Sequence, residues 1–126
     1  MEPAYHNGQF VLLNKWDRDF AAGDVVAFYS AGLKAVLVKR IAACPGDRIV
    51  IRGGRMMVNE EPSPVYADTF FADGGRLAQE LVLDADEYVM IGDNIAQSRD
   101  SRDDQVGVVA RKEIRGKVMP YKAYGQ

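Results

Sequence analysis

Short β-prone runs, broken at brief intervals by turn residues, leave this chain little room for anything but a β fold. Val, Ile, Phe and Tyr gather at 9–14, 24–29, 34–42, 48–52, 55–59, 87–91, 107–109 and 116–121, with Gly-Asp, Pro-Gly and Gly-Gly between runs. β-branched and aromatic side chains suit a pleated, half-buried surface, and glycine and proline end such runs. The sharpest local signal is Arg48-Ile-Val-Ile-Arg52, Gly53-Gly54, Arg55-Met-Met-Val-Asn59. Two strands joined by two glycines predict a tight hairpin, because the turn that matches strand twist needs positive φ. Helix signals are weak and amount to short turns over 76–83 and 100–104. The stretch 62–75, with Pro62, Pro64 and its Asp73-Gly74-Gly75 end, reads as a long loop. More broadly, 60–86 is expected to be a loop or small excursion from the main sheet.

A length of 126 residues supports one hydrophobic core and is short for two, so 1–126 is expected to form a single domain. The 48% hydrophobic and 27% charged content is that of a soluble globular protein. Net charge is −2 and no Lys/Arg run stands out, which gives neither a nucleic-acid footprint nor a basic membrane-surface helix. No stretch approaches the roughly 20 apolar residues of a membrane span, and no basic segment followed by an apolar one opens the chain. Cys44 is the one cysteine and His6 the one histidine. An internal disulfide and a zinc site of the usual ligand count are therefore both excluded. Cys44 is expected to be a small buried or half-buried apolar residue, and no metal or organic cofactor is implied.

Several hydrolase signatures are absent: Gly-x-Ser-x-Gly, His-Glu-x-x-His and the phosphate-binding Gly-x-x-x-x-Gly-Lys. With one histidine in a loop-like stretch, a base other than histidine is the better candidate. Lys39 is that candidate. Alternation along 34–42 places Ala35, Leu37, Lys39 and Ile41 on one face, and Val36, Val38 and Arg40 on the other. Among apolar neighbours the charged amine is disfavoured, and a neutral lysine is a competent general base. The same pattern also fits a lysine that reaches out to water from an edge strand.

Two further segments bear on that choice. Lys39-Arg40 is followed by Ile-Ala-Ala-Cys-Pro45-Gly46-Asp47, and later comes Gly92-Asp93-Asn94-Ile-Ala-Gln-Ser98-Arg-Asp100-Ser101-Arg102. With Met1-Glu2-Pro3 and Asn7-Gly8, these resemble, in order and nearly end to end, the motif boxes of type I signal peptidases. The resemblance implies an all-β fold of bent antiparallel sheets forming a half-open barrel. It implies a Ser/Lys dyad with Lys39 as general base and Ser98 orienting the Lys39 amine. Arg40, Asp93, Asp100 and Arg102 would be structural supports, with Arg40 the partner of Asp93, and Met1 would lie near the substrate. The nucleophilic serine of that family immediately precedes the Met of its first box. Here that Met is residue 1, and Ser30, Ser63, Ser98 and Ser101 stand in other contexts. The chain is therefore expected to be a catalytic domain that starts just after its nucleophile and is inactive as it stands.

The implied activity is endoproteolysis of exported preproteins after a small-x-small motif, with the signal peptide bound as an extended strand. A membrane anchor is expected upstream of Met1, which would leave the catalytic domain extracytoplasmic. Two rivals share features with this reading. One is a self-cleaving repressor-type Ser/Lys peptidase, against which the Gly-Asp-Asn…Ser-x-Asp-Ser-Arg box speaks. The other is a non-catalytic, signal-peptidase-like binding or assembly factor.

Overall fold

The computed structural model describes residues 12–96 and 98–119. Its strands are β1 (Leu13–Asn14), β2 (Val25–Ser30), β3 (Ala35–Ala43), β4 (Arg48–Arg52), β5 (Arg55–Val58), β6 (Glu61–Pro62), β7 (Leu81–Val82), β8 (Glu87–Ile91), β9 (Val109–Ala110) and β10 (Ile114–Val118). The described strands form one six-stranded sheet in the order β1-β10-β2-β3-β8-β9, and one four-stranded sheet, β6-β5-β4-β7. Every pairing among them is antiparallel. The sheets do not close on themselves, so the fold is the half-open all-β arrangement expected. Among the described residues no helix is long and apolar enough to cross a membrane.

Two apolar clusters hold the sheets, and β3 and β8 feed both. Phe20, Val26, Phe28, Ile41, Tyr88, Met90, Val109 and Ile114 pack on one face of the larger sheet. Ala42, Ala43, Val89 and Ile91 turn instead toward Ile49, Ile51 and Met56 of the smaller sheet, joined there by Tyr66, Phe71, Leu77 and Leu83. The period-two alternation of β8 explains its double duty. In β3, a register shift between Ile41 and Ala43 lets adjacent alanines enter the same cluster.

The hairpin at 48–59 forms around Gly53 and Gly54, with φ of 60° and 81°, as a primed turn demands. The stretch 62–75 is largely turn, as expected, and it is anchored. Phe71 N–H donates to Gly54 O at 2.8 Å. Cys44 is half-buried.

The structure also departs from the sequence expectations. β6 and β7 were not foreseen, each being two residues long. The turn into β6 uses positive φ at Asn59 and Glu60, 54° and 70°, and glutamate is a poor signal for such a turn. The turn expected at 76–83 splits into a one-turn 3₁₀ segment at Gly75–Ala78 and β7. The strand expected at 107–109 begins only at Val109, because Gly107 sits at φ 60° in a turn. A second 3₁₀ turn, Arg111–Glu113, leads into β10, which starts two residues before the expected 116. Residues 9–11, 120 and 121 of the expected terminal strands lie outside the described residues.

The hairpin turn gives a direct check. Gly53 has open space around an added Cβ, so only its backbone conformation restricts substitution. Gly53→Asn should stay within about 0.5 kcal/mol of the parent in urea unfolding, since asparagine tolerates this φ. Gly53→Val should lose about 1–3 kcal/mol. Equal stability of the two variants would contradict the turn geometry.

Candidate active site

Lys39 lies in the middle of β3, one residue before that strand's pairing with β8 begins at Arg40. Its side chain shares a face with Leu37 and Ile41, opposite Val26 of β2, and it is only 8% exposed. On the other side, Arg40 pairs with Ile91 and Ile41 with Met90. One further step in that register sets Lys39 against Gly92. A Cβ on Gly92 would stand 3.3 Å from Lys39 Nζ and 1.8 Å from Ser98 Oγ. Glycine thus leaves open the space that the Ser98 hydroxyl fills, and Lys39 Nζ donates to Ser98 Oγ at 2.9 Å.

The same alternation carries Asp93 to the opposite face, where Arg40 already points. Arg40 Nε and Nη2 donate to the two Asp93 carboxylate oxygens at 3.1 and 3.0 Å, and Nη1 donates to Gly23 O at 3.0 Å. This fork is half-buried, with side chains 31% and 23% exposed. The second carboxylate, Asp100, is wholly buried. It accepts Gly92 N–H at 2.9 Å, Arg102 N–H at 3.1 Å, and Arg102 Nε and Nη2 both at 2.9 Å. Arg102 Nη2 also donates to Ile95 O at 2.9 Å, and its guanidinium lies 5.4 Å from the Phe71 ring centroid. The loop 92–102 is therefore folded around a satisfied, bidentate ion pair, as a buried charge requires.

These surroundings act on the Lys39 amine in opposing directions. Burial lowers its pKa from the ordinary 10.5 and is the largest effect. Asp100 and Asp93 draw it up, and Arg102 pushes it down. Each carboxylate that would keep the lysine charged is held by an arginine, so desolvation prevails. Tyr66 stands close to the same charges. Its hydroxyl donates to Ile91 O at 3.5 Å, and burial pushes its ionisation above the ordinary tyrosine range, so it stays a neutral donor.

Lys39, Ser98, Arg40, Asp93, Asp100 and Arg102, all singled out from the sequence, are thus brought together in one place. Met1 and His6 lie outside the described residues. Sequence reasoning missed the part played by Gly92 and Tyr66. Gly92 was legible in principle, as the residue opposite Lys39 once the strands pair. Tyr66 carried no signal within its loop. Among the described residues, no group of three His, Cys, Asp or Glu side chains is placed to hold a metal ion.

With this geometry in hand, comparisons with known proteins agree on one family. A family model described as signal peptidase, peptidase S26, matches residues 1–122. Signal peptidase I P of Bacillus subtilis subsp. natto is 27% identical over 130 residues, covering 92% of this chain and 68% of its own length. Signal peptidase I of Bacillus amyloliquefaciens is 28% identical over 130 residues, with 92% and 67% covered. The crystal structure of a signal peptidase I from Enterococcus faecalis V583 matches in fold with a TM-score of 0.63 at 21% identity, covering 80% of this chain and 97% of that one.

The two ion pairs should differ in worth. Asp100→Asn leaves Arg102 buried without its carboxylate and should cost about 3–5 kcal/mol in chemical denaturation. Asp93→Asn, in a partly solvated pair, should cost about 1–2 kcal/mol. The reverse ranking would contradict the burial described. Lys39 adds a pH signature. At pH below its lowered folded pKa, both folded and unfolded chains hold the proton, and the folded state bears the full cost of the buried ammonium. As pH rises from there toward 10.5, the unfolded chain keeps a proton that the folded one has released, so stability rises. The stability of the parent relative to Lys39→Met should therefore increase with pH across that window. A flat or falling difference would mean that the amine is not desolvated.

Proposed function

The chain belongs to the signal peptidase family, peptidase S26, whose members are serine proteases that remove signal peptides, and on that premise we propose that Lys39 is the general base of a Ser/Lys dyad. The observation that carries this reading is the buried Lys39 amine, aimed by Ser98 at 2.9 Å in a setting that lowers its pKa. Ser98 is the orienting partner. The serine of the dyad belongs, by the resemblance of the first motif box, immediately before Met1. Ser30, Ser63, Ser98 and Ser101 stand outside that context.

In the proposed reaction the neutral amine takes the proton of the serine hydroxyl as Oγ bonds to the scissile carbonyl carbon. Lys39, now an ammonium, gives that proton to the departing amine nitrogen as the C–N bond breaks, leaving an ester on the serine. A water then loses a proton to Lys39 and attacks the ester. The acid is released and the serine recovers its hydrogen. No metal or organic cofactor takes part. Burial serves both steps, since it favours the neutral form of the amine that each of them needs.

The edge of β3 supports the proposed mode of substrate binding. Ala35 to Lys39 pair with β2 on one side, while the pairing with β8 begins only at Arg40. Among the described residues, the strand edge leading into Lys39 is therefore unpaired by β8. An extended signal peptide adds there as a further strand and delivers its scissile bond to the amine. Val36, 56% exposed, and half-buried Val38 offer apolar contacts to small side chains. An anchor upstream of Met1 would hold this domain at the outer membrane face, where exported preproteins emerge.

The test is cleavage of a preprotein by the protein extended upstream through its native residues. Lys39→Arg should abolish turnover while the fold persists, because arginine does not give up its proton in this range. Ser98→Ala should lose at least about ten-fold in kcat, equivalent to roughly 1.4 kcal/mol, with KM little changed. The chain beginning at Met1 should show no cleavage above background. Near-parental turnover by Lys39→Arg would remove the base from this reading. Cleavage by the chain beginning at Met1, lost in Lys39→Ala but not in Ser98→Ala, would place the nucleophile elsewhere.

A further inference from the structure

Beyond Tyr88, the outer edge of β8 is completed by side chains. β9 pairs with Glu87 and Tyr88, and Arg111 N–H donates to Asp86 O at 2.8 Å, so the even-numbered residues of this segment turn their backbone groups toward that edge. The next such residues, Met90 and Gly92, have no β9 neighbour. Their partners come from the returning loop. Ser101 N–H donates to Met90 O at 2.9 Å, and Met90 N–H donates to Ser101 Oγ at 2.8 Å. Gly92 N–H donates to Asp100 Oδ2 at 2.9 Å. The Ser101 hydroxyl takes the place that a strand carbonyl would hold.

This arrangement sets the phase of the loop relative to the strand. Ser101 is 1% exposed and Met90 is fully buried, so no water competes for the Met90 N–H. Once Ser101 is registered on Met90, the chain three residues earlier crosses over Gly92, and Ser98 meets Lys39. Displacing that register would carry Ser98 away from the amine without touching either group. We propose that Ser101 is a positioning residue for the reaction, acting through Ser98 by locking the 98–101 segment onto Met90. This rests on the reading of Ser98 as the partner that aims Lys39.

The experiment is a double-mutant cycle in the active, upstream-extended protein, at a temperature where circular dichroism shows every variant folded. Ser101→Ala should lower kcat at least fivefold with KM within twofold of the parent. The double variant Ser98→Ala/Ser101→Ala should be no slower than Ser98→Ala alone, because the second change removes only what acted through the first. A lowered melting temperature with unchanged kcat would make Ser101 purely structural, and losses that multiply would show that it does not act through Ser98. If Ser98→Ala alone leaves kcat unchanged, the aiming role of Ser98 fails and this proposal falls with it. Ser101→Cys, close in volume and a weak acceptor, carries the same expectations should Ser101→Ala not accumulate as folded protein.

Discussion

A lysine amine taken out of water and held against a single hydroxyl is the interaction around which the rest of this structure is arranged. Such a group is unfavourable for folding by itself. It persists because three features meet at one point: the apolar face of β3, the missing side chain of Gly92 opposite, and the Ser98 hydroxyl in the space that results. Each has its origin in strand geometry. Alternation puts Lys39 beside Leu37 and Ile41, and the β3–β8 register chooses which residue of the following loop faces it. The loop then has to turn back within a few residues to supply the hydroxyl.

Holding that loop accounts for most of the charged residues nearby. Two carboxylates close to a buried lysine would ordinarily keep it protonated. Here Asp93 is engaged by Arg40 and Asp100 by Arg102, so their negative charge is spent locally. Asp100 at the same time fixes Gly92 through its backbone N–H. The supports thus keep the loop in place without returning the lysine to its ordinary ionisation. Tyr66 and Phe71, from the stretch after β6, pack against this assembly from beneath and tie the smaller sheet to the site.

Much of this was legible in the sequence where local chemistry decides the outcome. The Gly53-Gly54 hairpin follows from positive φ, and β8 was bounded correctly because its apolar run is compact and flanked by polar residues. The opposite faces of Lys39 and Arg40 follow from period-two alternation, whereas Asp93 as the partner of Arg40 came from the motif resemblance. Other features depend on tertiary contacts and gave no local signal. β7, Leu81–Val82, is too short to read as a strand until β4 pairs with it, while β6, Glu61–Pro62, has little strand preference of its own and exists because β5 pairs with it. Glu60 at positive φ is held by the same pairing. The need for glycine at 92 appears only when β3 and β8 are set side by side, and Ser101, part of a motif box in the sequence, had no role there until its oxygen was found on Met90.

The central claim is that one lowered ionisation, that of Lys39, governs both the charge state of the site and the chemistry. Its most direct test compares two titrations of the upstream-extended protein. The midpoint of the Lys39 side chain is followed by NMR after isotopic labelling and assigned by its loss in Lys39→Met. It is set beside the acid limb of kcat/KM for preprotein cleavage, which reports the free enzyme's base. The two midpoints should coincide and lie below 10.5. A Lys39 midpoint at the ordinary lysine value, with an acid limb elsewhere, would contradict the account.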